Sequence, residues 1–265
     1  MSTYTHGHHE SVLRSHRWRT AANSAAYLLP HLGPEQTLLD IGAGPGTITA
    51  DLAGLVGSVT AAEVSDEVLQ LARDEIAAQG LTNVSFDVQD VHRLSYPDDS
   101  FDVVHAHQVL QHVADPVLAL TELARVTRPG GLVAVRDSDY AAFAWYPLLP
   151  ALDRWLELYR TIARINGGEP DAGRRLLSWA HRAGLTEVTP SSSTWCYATA
   201  EDRRWWGGLW AERMTNSAIA RQLVAADLTS EGELAGIAQG WLDWAAEPDG
   251  WFSVLHGEIL CRVQP

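Results

Sequence analysis

An acid and three glycines alternate in the run Asp40-Ile-Gly-Ala-Gly-Pro-Gly46. A short apolar stretch, residues 37–41, leads into it, and a helix-forming stretch, residues 47–56, leads out. Glycine carries no Cβ, so backbone at Gly42, Gly44 and Gly46, with Ala43 between them, can approach a ligand closely. A helix start adds amide N–H groups without partners of their own. A dinucleotide-binding turn needs a further glycine where this chain has Thr47. The acid instead suits a ligand with a cationic end, which Asp40 would meet directly or through water. Two more acids close later apolar runs. Glu63, followed by Val64, comes about twenty residues on, where a carboxylate accepts from both hydroxyls of a ribose. Asp90 is placed to accept from an adenine amino group, with the Val91 N–H reaching a ring nitrogen. Taken singly, the loop reads as a structural turn and each acid as a solvated surface group. Three acids at the ends of successive strands make a chance arrangement improbable.

Other groups have chemistry of their own. His107 follows the fourth apolar run, at the mouth of the crevice, as a base or acceptor-orienting group. An equal reading is a histidine that only hydrogen-bonds backbone or ligand in that place. His112 reads as structural, and Asp137 and Asp139, after the fifth run, as loop caps more than acceptor contacts. His6, His8 and His9 lack a nearby Cys partner, and no metal site is expected there. The same segment is expected to fold over the ligand, with Tyr4 or Arg19 touching it. Of eleven tryptophans, seven follow Pro190. Most read as packing, one or two as walls of an apolar pocket. Cys196 and Cys261 fall in strand-like runs and read as buried and inert.

These groups need a frame. Apolar runs at 37–41, 58–64, 84–88, 101–105 and 132–135 alternate with helical stretches at 47–56, 65–79 and 116–126. Strands and helices in alternation predict a parallel, doubly wound sheet whose ligand crevice lies at the carboxyl ends of its strands. Beyond it, residues 141–150 read as a lid or loop, residues 151–165, 173–183, 201–226 and 231–246 as helices, and residues 185–197 and 251–263 as strands. A helix is also expected over residues 20–29. Three parts result: an N-terminal helical segment, 1–36, covering the ligand; a binding core, 37–140; and acceptor-side cap elements with the last two strands, 141–265.

Composition narrows the partners. The 265 residues, 46% hydrophobic, suffice for one core plus a cap. Thirty-three acidic against nineteen basic residues give a net charge of −14, which disfavours nucleic acids and anionic membranes. No apolar stretch is long enough to span a bilayer, and a cytoplasmic, reducing setting is expected.

The set Leu38-Leu-Asp-Ile-Gly-Ala-Gly-Pro-Gly46, Glu63-Val64, Asp90-Val91, Phe101-Asp-Val-Val104, His107-Gln-Val-Leu-Gln-His-Val113 and Arg128-Pro-Gly-Gly131 resembles class I S-adenosylmethionine-dependent methyltransferases. The resemblance implies a Rossmann-like α/β fold with a seven-stranded sheet, strand seven antiparallel, and helical cap insertions. It implies S-adenosylmethionine as cofactor and S-adenosylhomocysteine as product. The segment 15–30 resembles a ubiquinone-methyltransferase-like subgroup, including the fungal gliotoxin bis-thiomethyltransferases and bacterial dithiol S-methyltransferases. That likeness implies a small apolar or aromatic acceptor, first a thiol or dithiol natural product of secondary metabolism. O- or C-methylation of an aromatic or quinone-like metabolite and binding of the cofactor without turnover are the alternatives. A monomer or homodimer is expected. Substituting Asp40 or Glu63 with alanine is expected to lose cofactor affinity and keep the fold.

Overall fold

The computed structural model of the protein describes residues 10–264, with side chains from residue 14 onward. Tyr4, His6, His8 and His9 lie outside the described residues. Ahead of the sheet come α1 (Glu10–Arg17) and α2 (Ala21–Ser24). The helix expected over residues 20–29 is only four residues long. Thr20 caps it through the Asn23 N–H, but Ala25 already leaves helical geometry at φ −135°.

β1 (Thr37–Ile41), α3 (Thr47–Ala53), β2 (Ser58–Glu63), α4 (Asp66–Ala78), β3 (Val84–Val88), β4 (Phe101–His107), α5 (Pro116–Val126) and β5 (Thr127–Ser138) then alternate as the apolar pattern requires. Ser65 caps α4 through the Val68 N–H, and Asp115 caps α5 through the Leu118 N–H with Pro116 in the first turn. These five strands lie in the order β3-β2-β1-β4-β5, all parallel. The order reverses between β1 and β4, so the crevice opens where those two strands end.

The second half supplies β6 (Ala144–Tyr146), α6 (Pro150–Ile165), α7 (Leu176–Arg182), β7 (Glu187–Tyr197), α8 (Ala200–Asn216), α9 (Ala218–Ala225), α10 (Glu231–Ala246) and β8 (Trp251–Arg262). β8 runs antiparallel between β5 and β7, which makes it the expected reversed strand. Residues 141–150 are not simply a loop. They hold β6, which pairs with Trp251–Ser253 of β8, in line with β5. The sheet therefore has eight strands rather than seven. The helix expected over 201–226 is interrupted at Ser217, whose hydroxyl donates to Arg213 O and caps α9 through the Ile219 N–H.

Alternation along the strands divides the core. Leu39 and Val104 pack with α5 and α7 on one face of the sheet, and Leu38 and Val103 with α3 on the other. A third cluster is aromatic, with Trp155, Trp210, Trp241, Trp244 and Phe252 fully buried. Trp155 meets Trp210 and Trp241 edge-on at 4.6 and 4.8 Å. Such pairs contribute about 0.5–1.5 kcal/mol beyond the area they bury. α8 and α10 close on each other at Gly207, where a Cβ would stand 2.8 Å from the Ala245 methyl. Most of the tryptophans are thus the cap's own core. No helix among the described residues is long and apolar enough to cross a membrane.

Gly46 caps α3 at φ +83°, and a Cβ there would lie 2.9 Å from the Ala72 Cα on α4. Gly46→Ala is expected to cost about 1–3 kcal/mol, seen as a lower denaturation midpoint at unchanged slope. Gly33→Ala, whose Cβ would meet nothing within 4 Å, is the control and should leave the midpoint in place.

Candidate functional site

The loop after β1 turns through three left-handed residues, Gly42, Gly44 and Gly46, at φ +71°, +55° and +83°. The Gly42 and Ala43 N–H groups donate to Ala62 O at 2.8 and 3.3 Å, which ties the loop to β2. Glu63, at the end of β2, accepts the Gly44 N–H on Oε1 at 2.9 Å and the Val64 N–H on Oε2 at 3.1 Å. It therefore braces the loop as well as facing the ligand space. Asp40 lies beneath, 3% exposed. The Thr49 hydroxyl donates to its Oδ2 at 2.5 Å, and His105 Nδ1 stands 2.7 Å from its Oδ1.

A cavity of about 590 Å³ opens over this floor. Asp40, Gly42, Ala43, Gly44, Glu63, Val64, Asp90, Val91, His107 and Arg19 all line it, so nearly all the described residues expected from sequence meet at one place. Gly46 does not line the cavity; it sets α3 against α4 instead. Asp90 Oδ1 accepts the His92 N–H at 2.9 Å and lies 2.8 Å from His92 Nδ1, contacts that hold its carboxyl below the usual range.

His107 is the last residue of β4 rather than a residue beyond it. It is 6% exposed, and neither ring nitrogen has a hydrogen-bond partner among the described residues. Burial pushes its pKa well below the usual value, and the charges of Arg136 and Arg19 add to that. Its ring lies 5.9 Å from Trp195 and 6.2 Å from His256.

A second, smaller recess of about 20 Å³ shares His16, Arg19 and Gln108 with the cavity. Tyr140, Phe143, Trp195, Tyr197, Trp206 and Trp210 wall it, and no carboxylate lines it among the described residues. Trp195 is held from several sides. Its indole N–H donates to Asn23 O at 2.7 Å, the Arg136 guanidinium lies 4.8 Å from its ring, and His256 lies 4.3 Å away. Arg136 is itself buried against Glu258 at 3.2 Å. Gln108, at φ +55°, stands between the two spaces and donates from its amide to Ser138 Oγ at 2.7 Å and His256 Nε2 at 2.9 Å. A non-glycine residue held there is strained, a frequent mark of functional positions.

The remaining candidates take structural roles. Asp137 accepts the Gln111 N–H at 3.0 Å, and burial pushes its carboxyl up to about 7. Asp139 accepts from Arg174 N, Nε and Nη2. His112 lines the cavity, but its Nε2 lies 3.0 Å from the Gln111 amide. Cys196 is exposed rather than buried, because β7 turns that residue away from the core between Trp195 and Tyr197. Cys261 is buried, and its thiol is pushed up to about 12. Sequence reasoning missed His105, although Phe101-Asp-Val-Val-His-Ala-His107 alternates and puts His105 and His107 on one face. Gln108 and His256 left no such signal.

Residues 32–191 match the Methyltransferase domain family. An uncharacterized methyltransferase of Schizosaccharomyces pombe is 34% identical over 98% of this chain and 96% of its own. The chain belongs to the methyltransferase domain family. A putative methyltransferase from Bacillus halodurans shares the fold at a TM-score of 0.58 and 18% identity, over 91% of this chain and 98% of its own. So does a Haemonchus contortus phosphoethanolamine N-methyltransferase solved with S-adenosylmethionine, at a TM-score of 0.54 and 17% identity, over 88% of this chain and 50% of its own. This methyltransferase uses S-adenosylmethionine. Its cavity fits that cofactor: a left-handed glycine loop with no room for a Cβ at Gly42 or Gly46, acids at the ends of β1 and β2 and after β3, and a buried, unmatched imidazole nitrogen on His105.

The burial of Asp40 changes one expectation. Asp40→Ala leaves the His105 ring N–H without its partner, so it should lower stability by about 1–3 kcal/mol as well as weakening cofactor binding. Glu63→Ala should weaken cofactor binding by about 10–100-fold with little change in denaturation midpoint. Calorimetry and denaturant titration on both variants separate the two. His107 and His256 are both held neutral by burial, with Arg136 and Arg19 adding to the effect. Below the usual histidine value the unfolded chain takes up protons that the folded one refuses. Stability should therefore be fully present above about pH 6.5 and fall as the pH drops below it. Replacing His256 with Gln should reduce the acid-side loss.

Proposed function

We propose that this methyltransferase transfers its methyl group to a thiol on a small apolar or aromatic acceptor, with a dithiol natural product as the leading candidate. The observation that carries this is His107, a buried, neutral imidazole beside the aromatic recess with no carboxylate to strengthen it as a base. A thiol, at about 8.5, gives up its proton more readily than a phenol at about 10, so a weak base suits it. The charges of Arg19 and Arg213, both lining the recess, favour a thiolate. The likeness of residues 15–30 to dithiol S-methyltransferases points the same way.

S-adenosylmethionine supplies a methyl group on a sulfonium, passed on by in-line displacement. The residues of this chain do the rest. His107 receives the thiol proton on a ring nitrogen. The rings of Trp195, Tyr197 and Trp206 hold the acceptor body and exclude water. The recess in its present form takes about one water-sized group. A larger acceptor therefore enters by displacing Ser15, His16 and Arg19, which line the recess together with the aromatic rings. In this reading the N-terminal segment is the cover of both spaces.

The test offers the purified protein S-adenosylmethionine with a reduced dithiol and a panel of phenols, and reads products by mass spectrometry. Methylthio product from the dithiol is expected. Methylated phenol alone would replace this reading with O-methylation, and no product with cofactor bound would remove both. His107→Ala should slow a thiol acceptor by about tenfold at most, but an oxygen acceptor by about 10²–10⁴-fold.

A further inference from the structure

The acid that leads the glycine loop was expected to meet the cofactor's ammonium directly or through water. Both of its oxygens already have a partner inside the protein. Asp40 is 3% exposed, with one oxygen taken by the Thr49 hydroxyl and the other by His105 Nδ1. His105 stands opposite Asp40 in the β1–β4 register. It is wholly buried, yet it lines the cofactor cavity. Because a carboxylate accepts only, it fixes the imidazole hydrogen on Nδ1. The other nitrogen, Nε2, is buried and has no hydrogen-bond partner among the described residues. In the neutral ring that atom is a lone pair, and only a donor can satisfy it.

We infer that His105 Nε2 receives the ammonium of the cofactor's methionine tail, with Asp40 acting on that charge through the imidazole. The proposal rests on the cofactor assignment above. The tail's carboxylate is an acceptor and the sulfonium carries no hydrogen, so neither matches a lone pair. The adenine amino group is a neutral donor, and Asp90 serves that end of the ligand. A cationic donor alone gains from the carboxylate behind the ring. His105 is thus a binding residue, and Asp40 and Thr49 position it.

The experiment measures, by calorimetry, the affinities of S-adenosylhomocysteine, which keeps the ammonium, and 5′-methylthioadenosine, which lacks the whole tail. His105→Asn keeps an amide N–H where Nδ1 faces Asp40 and removes Nε2. His105→Gln returns a polar atom near the Nε2 position. His105→Asn should lower S-adenosylhomocysteine affinity about tenfold and change methylthioadenosine affinity less than about twofold, with Gln recovering most of the loss. Equal loss for both ligands, or no loss for either, overturns the proposal. Should the Asn variant not fold, the ¹⁵N shift of His105 Nε2 in the wild-type protein decides. It should move on adding S-adenosylhomocysteine and stay put with methylthioadenosine, and no movement with either overturns the proposal. If the wild-type protein binds neither ligand, the cofactor assignment itself fails, an outcome distinct from selective loss.

Discussion

A carboxylate out of water at the end of a central strand persists only if groups are placed around it to replace the water. Asp40 has this effect on its surroundings. Thr49 comes from α3 and His105 from β4, so matching one charge fixes three elements relative to one another. The Thr49 contact spans nine residues and staples together the two ends of the glycine turn. Glu63 holds the middle of that turn through the Gly44 N–H. A loop pinned at both ends and at its centre loses little further freedom when a ligand arrives, which is what makes a glycine-rich segment a usable binding surface.

The acceptor side is built on a different principle. Its rigidity comes from aromatic rings packed against β8 and from one buried ion pair beneath Trp195. Arg136 is paired with Glu258, and Glu258 also accepts from the hydroxyls of Ser191 and Ser193, so the buried carboxylate is well matched. The Trp195 ring lies against that guanidinium on β5 and contacts His256 on β8. Tyr197, two residues along the same strand, stacks on Trp206 at 4.4 Å. One strand thus carries two of the recess walls at the spacing of its pleat.

The cofactor side was legible because its chemistry is local. The glycines are contiguous with the strand and helix they join, and Glu63 and Asp90 each close a run whose apolar pattern marks a strand. The last strand was legible from its alternation, and its reversed direction only from the family resemblance. β6 was not, since three residues among aromatics and prolines carry no period, and their strand character exists only through pairing with Trp251–Ser253. The acceptor side resisted for the same reason at larger scale. Gln108 and His256 are separated by 148 residues and meet only through the sheet. The break at Ser217 is a single hydroxyl choosing between two backbone groups, below the resolution of helical spacing. Asp40 lines the cavity as expected, but its burial against a histidine in another strand left no mark in its own segment.

The tie between Trp195 and Asn23 spans 172 residues, and that between Arg213 and Ser15 spans 198. β5 is completed only when β8 pairs with it, at Leu132 with Arg262 through Ser138 with His256. As the chain leaves the ribosome, the parallel strands and the glycine loop form from near neighbours. The segment that closes over them must wait until the farthest part of the sheet has been made. Long-range closures of this kind are slow and leave apolar surface open in the interval. The growing chain therefore holds an assembled cofactor-binding floor, uncovered, for much of its synthesis, and its own beginning is among the last parts to find a place.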